Sequence, residues 1–244
     1  MCVELLSEIL KNSDNIVFFG GAGMSTESGI ADFRSEKGLY KTSNGYEYPP
    51  ETMLSHTFFI SHTDEFYKYY KDKMIFKSAA PNAGHIALAK LEEMGKLRAV
   101  VTQNIDGLHQ LGGSKNVYEL HGSVHRNNCT KCNSFFDLDF IINSIGIPLC
   151  THCGGIVKPD VVLYEEALDD KVVNGAVHAI QKADVLIIGG TSLVVYPAAG
   201  LINYFGGKKL VLINKSSTSY DSKANIVIHD AIGKVLSEAV KTLL

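Results

Sequence analysis

The sequence predicts an α/β protein in which a doubly wound parallel sheet carries a smaller helical and metal-binding domain. Three observations predict it. Short, uniformly apolar, β-rich runs recur along the chain, and stretches with helical periodicity alternate with them. Two further stretches break the alternation, one rich in Tyr, Phe, His and Lys, the other holding two Cys-x-x-Cys pairs.

The apolar runs lie at 16–19, 99–102, 117–120, 185–189, 210–214 and 226–228. Strands apolar at nearly every position are buried on both faces, as in a parallel sheet covered by helices on each side. Helical periodicity occupies 82–94, 168–181, 197–204 and 231–243. At the amino terminus, 1–12 reads as an amphipathic helix with Val3, Leu6, Ile9 and Leu10 on one face; Glu4, Glu8 and Lys11 interrupt any signal-peptide core.

The interruptions at 35–80 and 125–157 are read as insertions that together build the small domain, leaving 1–34, 81–124 and 158–244 for the large one. A metal knot orders a segment too short to bury a core of its own. The boundary between the two domains is where a ligand cleft is expected.

With 244 residues, 45% of them hydrophobic, the chain can bury a substantial core. Its formal charge of -3, from 23 Lys+Arg against 26 Asp+Glu, offers no basic face for a polyanion, so no direct nucleic-acid partner is expected. The longest apolar runs fall far below the roughly 20 residues of a membrane span. The expectation is a soluble, cytoplasmic protein with no membrane partner.

Chemistry concentrates at the carboxyl ends of the strands, where α/β folds bind ligands. The first strand runs into Gly20-Gly21-Ala22-Gly23-Met24-Ser25. Glycines at such a turn let backbone N–H groups approach a pyrophosphate, although a tight βα turn without a ligand reads the same way. The region 41–47 has no strand to carry the acidic residue of a dehydrogenase fingerprint, which counts against an ordinary dehydrogenase. The loop that follows sets Phe33 and Arg34 beside Asp32, either to cover a cofactor with Arg34 on phosphate or as a surface ion pair and a tucked ring.

The second strand ends in Thr102-Gln103-Asn104-Ile105-Asp106, where Asn104 and Asp106 either bond a carboxamide and a ribose or cap the next helix. His109 is read as structural. The third ends in His121-Gly122-Ser123; a histidine there can take a proton from a hydroxyl, and the polar strand ends nearby favour that over a packing role. The other seven histidines, His85 among them, lack such company. Thr191, Ser192 and Asn214 close two further strand ends and suit either a nucleotide's ribose and phosphates or plain loops.

Cys129, Cys132, Cys150 and Cys153 form two knuckles separated by 17 residues. Four thiolates make a closed tetrahedral zinc site with no open position for catalysis, so the metal is structural and His152 is not a ligand.

Together, GAGMSTESGIADFR, TQNIDGLH, ELHGS, the cysteine pairs, KPDVVLYEE and GTSLVVYPAA occur in the order and spacing of the sirtuin family, and the chain resembles a bacterial sirtuin over nearly its whole length. The resemblance implies a Rossmann-like NAD-binding domain and an NAD-dependent protein-lysine deacetylase acting on an acetyl-lysine protein or peptide. Another lysine deacylase or a mono-ADP-ribosyltransferase is the alternative. NAD would be consumed: the acyl oxygen attacks the anomeric carbon as nicotinamide leaves, a ribose hydroxyl deprotonated with the help of His121 attacks the resulting imidate in turn, and water completes the reaction, releasing lysine and O-acetyl-ADP-ribose.

By position, the resemblance makes His121 the base and Asn104 the residue beside the reacting ribose. Ala22, Thr26, Phe33 and Arg34 resemble the cofactor-binding loop, and Gln103, Ile105 and Asp106 the nicotinamide and ribose contacts. Thr191, Ser192 and Asn214 match adenosine-side contacts, and Asp230, Ala231 and Ile232 the adenine floor. Two departures stand out. Where the family usually has Phe-Gly-Glu beside the peptide, this chain has Tyr164-Glu165-Glu166; and where succinyl-preferring members carry Tyr and Arg three apart, it has Tyr67 and Tyr70.

Overall fold

The computed structural model describes residues 2–35, 38–42 and 45–243, so positions 1, 36, 37, 43, 44 and 244 of the predicted segments lie outside the described residues. Six parallel strands form the main sheet: β1 (Ile16–Gly20), β2 (Leu97–Thr102), β3 (Val117–Glu119), β7 (Val185–Gly189), β8 (Lys209–Ile213) and β9 (Ile226–Ile228), in the order β3-β2-β1-β7-β8-β9. This is the Rossmann-like arrangement. The order reverses between β1 and β7, the switch point at which such sheets open a ligand crevice.

Alternation along β1 divides the core. Ile16 and Phe18 face one layer, where the helices Cys2–Lys11, Ala83–Glu93 and Ile232–Lys241 bury Leu6, Leu10, Leu88, Leu91 and Leu236. Val17 and Phe19 face the other, under helix Asp170–Lys182 and the 3₁₀ turns of Ala198–Tyr204. Helical periodicity at 197–204 therefore gives a 3₁₀ helix instead of an α-helix, in a segment entered through Pro197. The same holds after the glycine turn, where Ala22–Ser28 forms a 3₁₀ helix closed by Gly29 in the left-handed region (φ 84°).

The small domain is more regular than its sequence suggests. The stretch 35–80, which has no strand pattern, supplies four short helices, Leu39–Thr42, Pro50–Met53, His56–Ser61 and Thr63–Lys73. Helices this short are marginal alone and are held by packing. They lie against a three-stranded antiparallel sheet, β5-β4-β6, of Gly122–Cys129 (β4), Phe135–Phe136 (β5) and Val157–Val161 (β6). This sheet is absent from the sequence reading, because its strands mix Asn, His, Lys and Pro with their apolar positions. The third core joins the two parts around Phe58, Phe59, Phe66, Tyr67, Tyr69 and Tyr70, and Phe33 and Ile105 pack against it from the large sheet's strand-end loops.

Because β4 follows β3 after only Leu120 and His121, the junction between the sheets runs through His121. An ion triad fastens that junction: Arg126 of β4 bonds the buried Glu119 of β3 at 2.6 Å and Asp160 of β6 at 2.7 Å.

Candidate active site and zinc centre

At the switch point the first and fourth strands of the main sheet touch through their glycines. Gly23 N–H donates to the Gly190 carbonyl at 2.7 Å, and a Cβ on Gly23 would stand 2.7 Å from Gly190 Cα. Gly190 itself is left-handed (φ 61°). Close chain crossing by itself requires these glycines, whatever else the turn does.

Around this crossing the side chains of three strand ends interlock. Ser25, 1% exposed, donates from Oγ to Asp106 Oδ2 at 2.6 Å and accepts from Asn104 Nδ2 at 3.0 Å. Asp106 Oδ1 accepts the Leu108 amide at 2.9 Å, so this carboxylate caps the following turn and anchors Ser25 at once. The Gln103 amide group reaches across β1 to Thr191 Oγ1 at 3.2 Å, tying the end of β2 to the end of β7. Ser25 was missed from the sequence; a serine just beyond a glycine turn carries no spacing signal, and its role appears only when 81 residues of separation close.

His121 Nδ1 lies 2.9 Å from the Gln103 carbonyl oxygen. A carbonyl can only accept, so Nδ1 carries the proton and Nε2 presents its lone pair. Burial lowers the His121 pKa, and the Gln103 carbonyl opposes the shift without cancelling it. The ring is therefore neutral near pH 7 and ready to receive a proton.

Ala22, Thr26, Phe33, Ile105 and Asp106 are all half-buried near this network. The Thr26 hydroxyl donates to the Gly23 carbonyl at 2.9 Å, and Ile105 accepts the Val124 amide, coupling the site to β4. Arg34 is exposed, with its guanidinium 5.2 Å from the centre of the Tyr40 ring. Ser192 is exposed and Asn214 half-buried, its amide group turned to the Ser216 carbonyl at 2.7 Å. Ile232 differs from a surface contact: its side chain is 3% exposed in the main core, directly beneath Gly189, so only its backbone at the start of the last helix faces the edge of the sheet.

His85 departs from its expected isolation. It packs against His109 with ring centres 4.7 Å apart, and both rings are fully buried behind the Asp106 turn. Burial pushes the two down to about 4 and about 3. His109 thus has the structural role expected of it, with His85 as its partner.

The four cysteine sulfurs lie within 4.8 Å of one another, with Cys129–Cys153 at 3.4 Å, Cys132–Cys153 at 3.3 Å and Cys132–Cys150 at 3.6 Å. Zn–S bonds of about 2.3 Å in a tetrahedron put sulfurs about 3.8 Å apart, so the donor set fits zinc. Amides of Lys131 and His152 point at Cys129 and Cys150 Sγ, each at 3.4 Å. A fourfold thiolate shell needs such donors to temper its charge.

The sequence model of the Sir2 family matches residues 21–197. An NAD-dependent protein deacetylase of Clostridium acetobutylicum is 66% identical over 239 residues, covering 98% of both chains. Among solved structures, a Sir2 complex with a p53 peptide and NAD+ aligns with TM-score 0.86 at 37% identity over 99% of this chain and 98% of the other. A Sir2 mutant holding deacetylated p53 peptide and 3'-O-acetyl ADP ribose aligns with TM-score 0.90 at 36% identity, again over 99% and 98%.

Proposed function

The chain belongs to the Sir2 family, and we infer that it is an NAD-dependent protein deacetylase that converts acetyl-lysine and NAD to lysine, nicotinamide and O-acetyl-ADP-ribose. The observation that carries the reading is the strand-end constellation: a neutral His121 anchored on the Gln103 carbonyl with Nε2 free, on a sheet whose neighbouring strand ends carry the hydrogen-bonded Asn104–Ser25–Asp106 chain at the switch point.

On this reading His121 accepts the proton of a ribose hydroxyl, and the Gln103 carbonyl steadies the ring as it becomes charged. Asn104 sits beside the reacting ribose, where its bond to Ser25 fixes its rotamer. Gln103, Ile105 and Asp106 bind nicotinamide and its ribose; Ala22, Thr26, Phe33 and Arg34 close over the diphosphate side. Thr191, Ser192 and Asn214 receive the adenosine half, with Ile232 contributing backbone at the helix start. For Arg34 this requires the guanidinium to leave Tyr40, a motion open to an exposed side chain.

Zinc held by Cys129, Cys132, Cys150 and Cys153 supplies no chemistry to the reaction; it orders the small domain that forms the other wall of the cleft. That domain comprises 35–80 and 125–157 in our assignment, with 1–34, 81–124 and 158–244 forming the NAD-binding domain. No helix among the described residues is long and apolar enough to cross a membrane. We place the protein in the cytoplasm on the ground that the reaction consumes NAD, and not on that absence.

Mass spectrometry of a reaction supplied with NAD and an acetyl-lysine peptide tests the function. Nicotinamide and O-acetyl-ADP-ribose are the expected products; free acetate without nicotinamide contradicts it.

A further inference from the structure

Three non-glycine residues among those described adopt positive φ: Asn133, Leu193 and Glu165. Asn133 turns within a zinc knuckle, where asparagine tolerates the left-handed region, and Leu193 is held there by burial. Glu165, at φ 77°, is exposed, so packing does not impose its conformation. Its carboxylate does. Oε2 accepts both the Thr57 amide at 2.9 Å and the Thr57 hydroxyl at 2.7 Å.

That pair of bonds ends a short bridge that begins at His121. The Val162 amide donates to the His121 carbonyl at 3.0 Å. Two residues on, the Tyr164 amide donates to the Leu54 carbonyl and the Tyr164 carbonyl accepts the His56 amide, each at 3.0 Å, while its hydroxyl bonds that of Tyr40. Glu166 completes the attachment, holding the Leu163 amide, Lys158 and His56. Segment 162–166 therefore links the residue read as the base to the first turn of the helix His56–Ser61, and the left-handed residue is its last bend.

We propose that Glu165 is a positioning residue: its bonds to Thr57 hold a conformation that a glutamate would otherwise leave, and so fix the helical insert at the distance from His121 that the acyl-peptide requires. A left-handed residue without a tether relaxes, the bend opens, and the insert loses its register against the strand end. On the deacetylase reading NAD binds at the strand ends and not at the insert, so the effect falls on the peptide. The inference rests on the deacetylase reading.

Steady-state kinetics of Glu165→Ala, Glu165→Gly, Glu165→Gln and Thr57→Val test it. Alanine keeps the backbone strain and removes the tether, so the peptide KM rises at least about fivefold while the NAD KM does not follow. Glycine removes the tether and the strain together and gives a smaller rise; glutamine retains an acceptor oxygen and restores a KM close to that of the unaltered chain. Thr57→Val removes only the hydroxyl bond and keeps the amide bond, so it gives a smaller rise than Glu165→Ala, and the double variant adds little to Glu165→Ala. A peptide KM unmoved in Glu165→Ala, or equal rises for peptide and NAD, overturns the proposal. Absence of nicotinamide release from the unaltered chain would instead overturn the functional reading on which it rests.

Discussion

The zinc centre and the strand-end site are each built from a handful of side chains, and they are assembled in opposite ways. The zinc ligands come from two local knuckles whose extreme members are 24 residues apart, and each knuckle needs only a tight turn and backbone amides to aim its sulfurs. The strand-end site gathers Ser25, Asn104, Asp106, His121 and Thr191 from the ends of four strands, and only the parallel sheet brings those ends together. The difference teaches where each site is vulnerable. One depends on an ion, the other on the sheet.

Metal removal gives the largest expected effect. Structural zinc contributes on the order of 10 kcal/mol to small folds at neutral pH, more than the helices of the insert can supply from packing alone. Chelation should lower Tm and abolish deacetylation, with both restored by zinc. A Cys150→Ser protein with no bound metal and full activity would break the contrast, because the thiolates would then scaffold nothing.

His121→Ala comes next. It removes the residue we read as the proton acceptor and leaves the glycine crossing and the Gln103–Thr191 bridge in place, so on that reading kcat should fall roughly 100-fold or more while NAD binding, followed by calorimetry, persists. Retained turnover would put the base elsewhere.

The contrast also explains what was legible in the sequence. Five of the six sheet strands could be read nearly to the residue because burial on both faces makes them uniformly apolar, as in the fully buried β1 and β7; β2 began two residues early, where Arg98 breaks the run. The cysteine spacing declared the metal site for the same reason, since local geometry leaves local traces. The antiparallel sheet was invisible because a bulge between Ser123 and Asn127 spoils its alternation. Ser25, the His85–His109 pair and the Glu165 tether were hidden because each depends on a long-range contact. His121 stood between these cases: its strand end marked it, and only the Gln103 carbonyl fixes which nitrogen is free.

A smaller effect is expected with pH. His85 and His109 are pushed from the ordinary 6.5 to about 4 and about 3 by burial, so the unfolded chain binds protons that the folded chain refuses. Stability should therefore be full above about 6.5 and decline as pH falls towards 3. Tm measured from pH 7 to 5 should drop in the unaltered chain and drop less in His109→Leu. Identical slopes would remove the pair from the account.

The smallest concerns acyl choice. Tyr70 is fully buried and stacked on Phe66, and the nearby cations are engaged elsewhere: Lys68 with Asp64, Lys71 with the Ser144 and Gly146 carbonyls, Lys73 with Asp72. A succinyl carboxylate entering beside them finds no free cation among these three lysines, and one missing charge-assisted hydrogen bond is worth about 1.5 to 3 kcal/mol. Acetyl should be preferred over succinyl at least about tenfold in kcat/KM on one peptide. Equal values would show that one of these lysines reaches the cleft.

The central claim is that removal of the acetyl group and cleavage of NAD are one event at the strand ends, with the zinc domain as scaffold. Counting nicotinamide released against lysine freed, in the same tube and over the same time course, tests it most directly. The account predicts one nicotinamide for each lysine in the steady state, and both steady-state rates lost together in His121→Ala; lysine freed in excess of nicotinamide would contradict it.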